Sequence, residues 1–249
     1  MKPIVRKILA GVVVLAIGAV AGPWIYINLI KQDAPDVLTL EPSVTTTTAA
    51  EPTETTTTVA TTVATTVATT VTTVDTSATD GEWAVVAESI VGYRVKEVVI
   101  GQKTEGVGRT SAVTGSLKIA DQKVLNAEFT VDMTTLKSDS SRRDRQVNTR
   151  ILDTATYPTA TFVLKEPITL TPEVLAGSEL TVNTTGTLTL RGVTKDIAVT
   201  LIARLVDDVI EVNGSIELVF ADWSIPDPSI SAIVVEDRGQ LEFLIRFAR

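Results

Sequence analysis

The sequence contains no cysteine and no histidine. Without cysteine there is no disulfide, no cysteine-anchored lipid and no thiolate chemistry. Losing histidine as well removes Ser-His triads, Cys-His dyads and the usual zinc sites. Positive charge is scarce too: 22 Lys and Arg stand against 30 Asp and Glu, a net charge of −8. Nucleic acid is therefore not an expected partner, because phosphate affinity comes from clustered Lys and Arg, and the basic run SRRDR at 141–145 is too short to change that. Asp222, Asp227, Glu236 and Asp237 offer carboxylate pairs, as any acidic chain does. GVGRTS at 106–111 lacks the third glycine of a dinucleotide fingerprint and a helix after it, and reads as a hairpin loop. Asp207, Asp208 and Asn213 lack calcium-loop spacing and read as solvated turn residues. No catalytic residue, cofactor or metal is expected, and the chain does not read as an enzyme.

Charge is missing altogether between Lys7 and Lys31. As a helix that stretch would be roughly 34 Å long, enough to cross a hydrocarbon core of about 30 Å. Lys2, Arg6 and Lys7 precede it, and Asp33 and Asp36 follow with only Lys31. The positive-inside tendency then puts the N-terminus in the cytoplasm and the rest of the chain outside it. A cleaved signal peptide is the competing reading, since Ala19-Val20-Ala21 has the small-residue cleavage form. Retention is favoured by PWIYINLI at 23–30, which continues the apolar run and sets Trp24 and Tyr26 at an interfacial position.

Threonine dominates 45–79, with the repeat TTVATTVATTVATT around 61–70. A period of four suits no strand, and the apolar bulk is too small to offset chain entropy. The segment is expected to be a disordered stalk that lets the following domain stand clear of the bilayer or fall back upon it, and its composition also suits O-glycosylation.

After Gly81 short alternating stretches separated by turn residues give an all-β signature. The longest runs from Ile210 through Val212, Gly214, Ile216 and Leu218 to Phe220. Strands are also expected at 93–100, 111–119, 124–132, with Leu125, Ala127, Phe129 and Val131 on one face, and 159–164. Short helices are expected at 171–177, where Pro172 follows Thr171 and Gly177 closes the turn, and near 142–152. For GTLTLRGVTKDIAVTL at 186–201 the apolar faces match if the turn centres on Val193-Thr194, setting Leu190 opposite Ile197 and Leu188 opposite Val199 with a four-residue loop at 192–195. About eight antiparallel strands fit a sandwich with a filled interior or a barrel that encloses a small apolar ligand, and periodicity does not choose.

GTLTLRGVTKDIAV at 186–199 resembles the signature hairpin of the YceI-like family. SRRDRQVNTRILDTATYPTATF at 141–162 is similar to that family's Arg-Asp stretch with its Tyr-Pro and strand, and WAVVAESIVGYRV at 83–95 looks like its first strand. The resemblance implies a lipocalin-like antiparallel barrel whose interior accepts a long-chain apolar molecule, polyisoprenoid or fatty-acid-like. The family often carries a histidine shortly after the Arg-Asp pair; here Gln146 follows Arg145, leaving head-group preference open.

The organisation expected is thus a basic cytoplasmic segment at 1–7, a transmembrane signal anchor at 8–30, a disordered Thr-rich linker at 31–80 and a lipid-binding barrel at 81–249. The fold class is all-β, a barrel of about eight strands with one or two short helices. Lining candidates are Tyr93, Leu117, Phe129, Phe162, Leu188, Leu190, Val199, Leu201, Ile216, Leu218 and Phe243, with Arg143 as the head-group candidate. Arg142 to Arg145 also read as a surface ion-pair network over the barrel mouth. The partners expected are the apolar ligand and the membrane, with a homodimer left open. The alternative is a non-catalytic envelope or protein-interaction module with a filled core.

Overall fold

The computed structural model describes residues 34–40 and 79–249. The spans expected at 1–7 and 8–30 lie outside them, as does most of the Thr-rich segment. Among the described residues no helix is long and apolar enough to cross a membrane.

The chain from 81 onward forms strands β1 (Gly81–Val85), β2 (Ile90–Val99), β3 (Gln102–Thr110), β4 (Val113–Ala120), β5 (Lys123–Asp132) and β6 (Lys137–Ser138), then helix α1 (Ser141–Gln146). After a π turn at Val147–Ile151 come β7 (Thr159–Leu164), β8 (Ile168–Thr169) and helix α2 (Pro172–Leu175). Strands β9 (Leu180–Leu190), β10 (Val193–Val206), β11 (Val209–Val219), β12 (Ile233–Val235) and β13 (Arg238–Ala248) complete it. The helix expected near 142–152 is thus one short α segment, capped by the Ser140 hydroxyl, followed by the π turn.

Eight strands in the order β1-β4-β5-β7-β9-β10-β11-β13 make a closed ring, shut by Ala84↔Ala248 and Val85↔Phe247. A barrel, not a sandwich, is therefore what the alternation builds: one face of each strand is turned into a common interior. Past a break at 86–89, β2 continues along β13 and carries β3 and β6, extending the wall on that side. The break is pinned by Ser89, 1% exposed, whose hydroxyl donates to the Val86 carbonyl (2.8 Å) and accepts from the Arg246 amide (3.0 Å).

Four hairpins turn on two residues, each with both φ values positive: Ile100-Gly101, Asp121-Gln122, Arg191-Gly192 and Asp207-Asp208. That is the turn whose twist suits paired strands. It corrects the expected β9–β10 register. The turn is Arg191-Gly192, at φ 49° and 73°, and Leu190 pairs with Val193, not Ile197. Tertiary contacts favour this choice: Arg191 lies 5.8 Å from the Tyr157 ring centroid and donates to the Ser224 carbonyl. The shift is four residues, an even number, so Leu188 and Leu190 still face inward.

Two further expectations fail locally. GVGRTS is no loop, since Gly106 to Thr110 pair with β2 inside β3. Leu125 does not share the inward face of Phe129 and Val131: a bulge, where the register jumps from Lys118↔Asn126 to Ile119↔Val124, leaves Leu125 exposed and buries Val124.

Residues 34–40, placed in the linker by composition, lie against the outside of the barrel. The Pro35 carbonyl accepts from Arg94 (2.6 Å), that of Asp36 from Arg109, and that of Leu38 from the Asn213 amide (2.8 Å). This strap crosses from the β3–β2 side to β11. Beneath it the Glu242 carboxylate, 1% exposed, bridges Arg109 (2.7 Å) and Arg94 (3.4 Å). Leu38 and Leu244 are both buried yet stand apart from the interior cluster. Asn213, read from sequence as a solvated turn residue, is buried here on β11.

Candidate functional site

The barrel interior holds two cavities, about 200 Å³ at the α1 end and about 90 Å³ at the α2 end. Three rings separate them. Phe129, Phe162 and Phe243 come from β5, β7 and β13, with centroids 5.4 Å apart (Phe129–Phe162), 5.4 Å (Phe129–Phe243) and 6.4 Å (Phe162–Phe243). Room for them is made in the wall. A Cβ at Gly186 would collide with the Phe162 ring, and one at Gly214 with the Phe243 ring.

Tyr93, Leu188, Leu190, Ile216 and Leu218 line the larger cavity, whereas Leu117, Leu201 and Phe243 line the smaller one. Phe129 and Phe162 face both. Val199 faces neither; it is 4% exposed and belongs to the packed interior. The larger cavity also takes in Val91, Val131 and Leu241, inward positions of alternating strands that the sequence reading passed over.

Its mouth carries a polar cluster. Arg143 on α1 is brought inside because Gly106 and Gly108 on β3 have no side chains: Arg143 packs over Gly106 and the Tyr93 ring over Gly108. The Arg143 guanidinium donates to the buried Glu97 carboxylate (2.7 Å) and pairs with Asp139. Burial works against its charge, but the two carboxylates outweigh that and raise its pKa. Burial pushes the Tyr93 hydroxyl well above its ordinary pKa, so it stays a neutral phenol. Glu97 was missed from sequence, although the Val91, Tyr93, Val95 alternation places it inward.

Arg143 is therefore a neutralised cation, and the mouth offers hydroxyl, carboxylate and guanidinium edges, with exposed Arg142 beside them at its rim. Asp144 fixes α1 by accepting from the Ser138 amide (2.8 Å) and hydroxyl (2.7 Å). Arg150 ties the π turn to the closing loop through the Asp227 (2.8 Å) and Pro228 (2.9 Å) carbonyls. Trp223 is 3% exposed, with the Lys195 ammonium 5.7 Å from its ring centroid. Among the described residues no group of three or more metal-ligating side chains could hold an ion.

A closed antiparallel barrel with an unfilled apolar interior defines the lipocalin-like class of fold. The YceI-like domain model matches residues 50–247, and the chain belongs to that family. Among solved structures, a polyisoprenoid binding domain from Saccharophagus degradans is 18% identical, with a TM-score of 0.54 over 67% of this chain and 97% of its own. BcnA from Burkholderia cenocepacia is 21% identical, with a TM-score of 0.50 over 64% of this chain and 96% of its own. No curated protein matches the chain.

Proposed function

We propose that this chain is a membrane-anchored, extracytoplasmic, non-catalytic binding protein that holds a long-chain apolar ligand, a polyisoprenoid or related lipid, in the larger cavity. The supporting observation is the unfilled volume walled by Val91, Val131, Leu188, Leu190, Ile216 and Leu218. Each CH₂ moved there from water contributes about 0.8 kcal/mol, so a chain of ten or more carbons binds without an ionic anchor. The S. degradans relative, described as polyisoprenoid binding, shares the fold. Because Glu97 and Asp139 already hold Arg143, a hydroxyl or carbonyl head would meet Tyr93 and the Arg143 cluster, whereas a phosphate or carboxylate would draw on exposed Arg142 at the same rim.

The apolar run at 8–30 is the anchor in this reading. With residues 34–40 on the barrel wall, three residues, Lys31 to Asp33, separate anchor from barrel, a reach of at most about 14 Å to Ala34. The barrel then sits at the bilayer surface, where an apolar chain can pass directly from the membrane, and not at the tip of a stalk.

Native mass spectrometry of the full-length chain purified from its own host tests the binding. A stoichiometric apolar adduct is expected, absent in Leu190→Arg when circular dichroism shows the barrel intact. Ligand-free protein that also ignores added isoprenols would instead make it a structural module. Labelling of Lys103 and Lys123 on intact cells by an impermeant amine reagent tests the topology.

A further inference from the structure

We infer that Phe129, Phe162 and Phe243 form a floor that sets how long a chain the barrel accepts; this rests on the binding proposed above. Strand after strand changes chamber at their level. On β11, Ile210 and Val212 line the smaller cavity and Ile216 and Leu218 the larger, with Gly214 between. On β9, Leu180 and Val182 give way to Leu188 and Leu190 across Gly186. The two glycines at the changeover are those that seat the Phe243 and Phe162 rings, so the wall is hollowed where the floor meets it. Phe129 and Phe162 stack at an interplanar angle of 22°, which closes the middle of the lumen.

The depth above the floor follows from the strand. Phe220, which lines the larger cavity, lies six residue steps beyond Gly214. At about 3.3 Å per residue and a strand tilt of about 40°, that is roughly 15 Å along the barrel axis. An extended chain gains roughly 1.25 Å per carbon–carbon bond, so about twelve in-line carbons fit, three prenyl units with the head at Tyr93 and Arg143. Further units have no apolar wall to meet and remain outside the mouth.

The test is a series of all-trans isoprenols of one to eight units bound to the full-length chain in detergent, read by native mass spectrometry. Wild type is expected to gain tenfold or more in affinity per unit up to the third, then to level off. Phe162→Ala opens the smaller cavity and is expected to carry the gain on to the fifth unit or beyond, with Phe129→Leu as the milder variant should the first unfold. Wild-type affinity that keeps rising past the third unit, or a plateau unmoved in both folded variants, overturns the floor. An absence of binding at every length overturns the binding proposal itself, and the floor with it.

Discussion

The Phe162 ring lies across the backbone of Gly186 so closely that a Cβ on that glycine would stand well under 3.0 Å from the ring's Cε2 and Cζ. Gly186→Ala must displace the ring or the strand, at a cost of about 1–3 kcal/mol. Urea unfolding should show a lower midpoint for Gly186→Ala. Adding Phe162→Ala should cost less than the sum of the single changes, because the second change removes the collision made by the first.

Ile100 opens the β2–β3 turn at φ 48°, a region that β-branched residues avoid, with its side chain 58% exposed. Ile100→Asn keeps the turn and relieves the strain, a gain of about 1 kcal/mol. The thermal midpoint should rise by about 2–4 °C, with an unchanged circular dichroism spectrum.

Glu211 joins two arginines on the outer face, Arg204 at 2.7 Å and Arg246 at 2.8 Å. Burial opposes its charge, but hydrogen bonds from both arginines outweigh it and hold the carboxyl below its usual pKa. A carboxylate with a depressed folded pKa contributes stability above its unfolded value of about 4.3 and loses it as the pH falls through the folded value. Denaturation across pH should therefore show stability draining away below about pH 4.3. Glu211→Gln is expected to be less stable than wild type at pH 7 and to show a shallower acid limb.

Glu242 lies under the strap between Arg94 and Arg109. Glu242→Ala takes a buried partner from both guanidinium groups, but Arg94 keeps Glu105 at 2.6 Å and Arg109 is partly exposed, so the loss is about 1–3 kcal/mol, read as a lower urea midpoint. Asn213→Ala is milder: it removes the bonds to the Leu38 carbonyl and to the Phe243 carbonyl of β13, and should speed amide exchange in residues 34–40 more than in the barrel strands, which keep their ladder bonds.

The all-β class, the longer strands and the turn after α2 were legible because a two-residue alternation and Pro-Gly punctuation are local signals. The β9–β10 register was not, since matching apolar pairs cannot weigh what Arg191 gains from Tyr157 and Ser224 across the fold. Leu125 escaped for a related reason: one bulged residue inverts the alternation without altering composition. Ten of the eleven lining candidates do face a cavity, yet alternation reads the same for a filled and a hollow barrel. What divides this interior is where Gly186 and Gly214 stand relative to two rings far away in sequence. The polar mouth was half visible, in Arg143, and its neutralisation by Glu97 depends on a pairing between residues 46 positions apart. The strap left no trace at all, because APDVLTL has neither period nor turn signal and acquires its place only from a wall built much later in the chain.

With Leu38 fastened to Asn213 and Thr79 accepting from the Trp83 indole (3.0 Å), residues 41–78 leave and rejoin one and the same body. For any chain closed at both ends on one body, doubling the length of the closed segment costs only ~0.6 kcal/mol. The length of 41–78 therefore does not set the spacing between the barrel and the residues ahead of the strap.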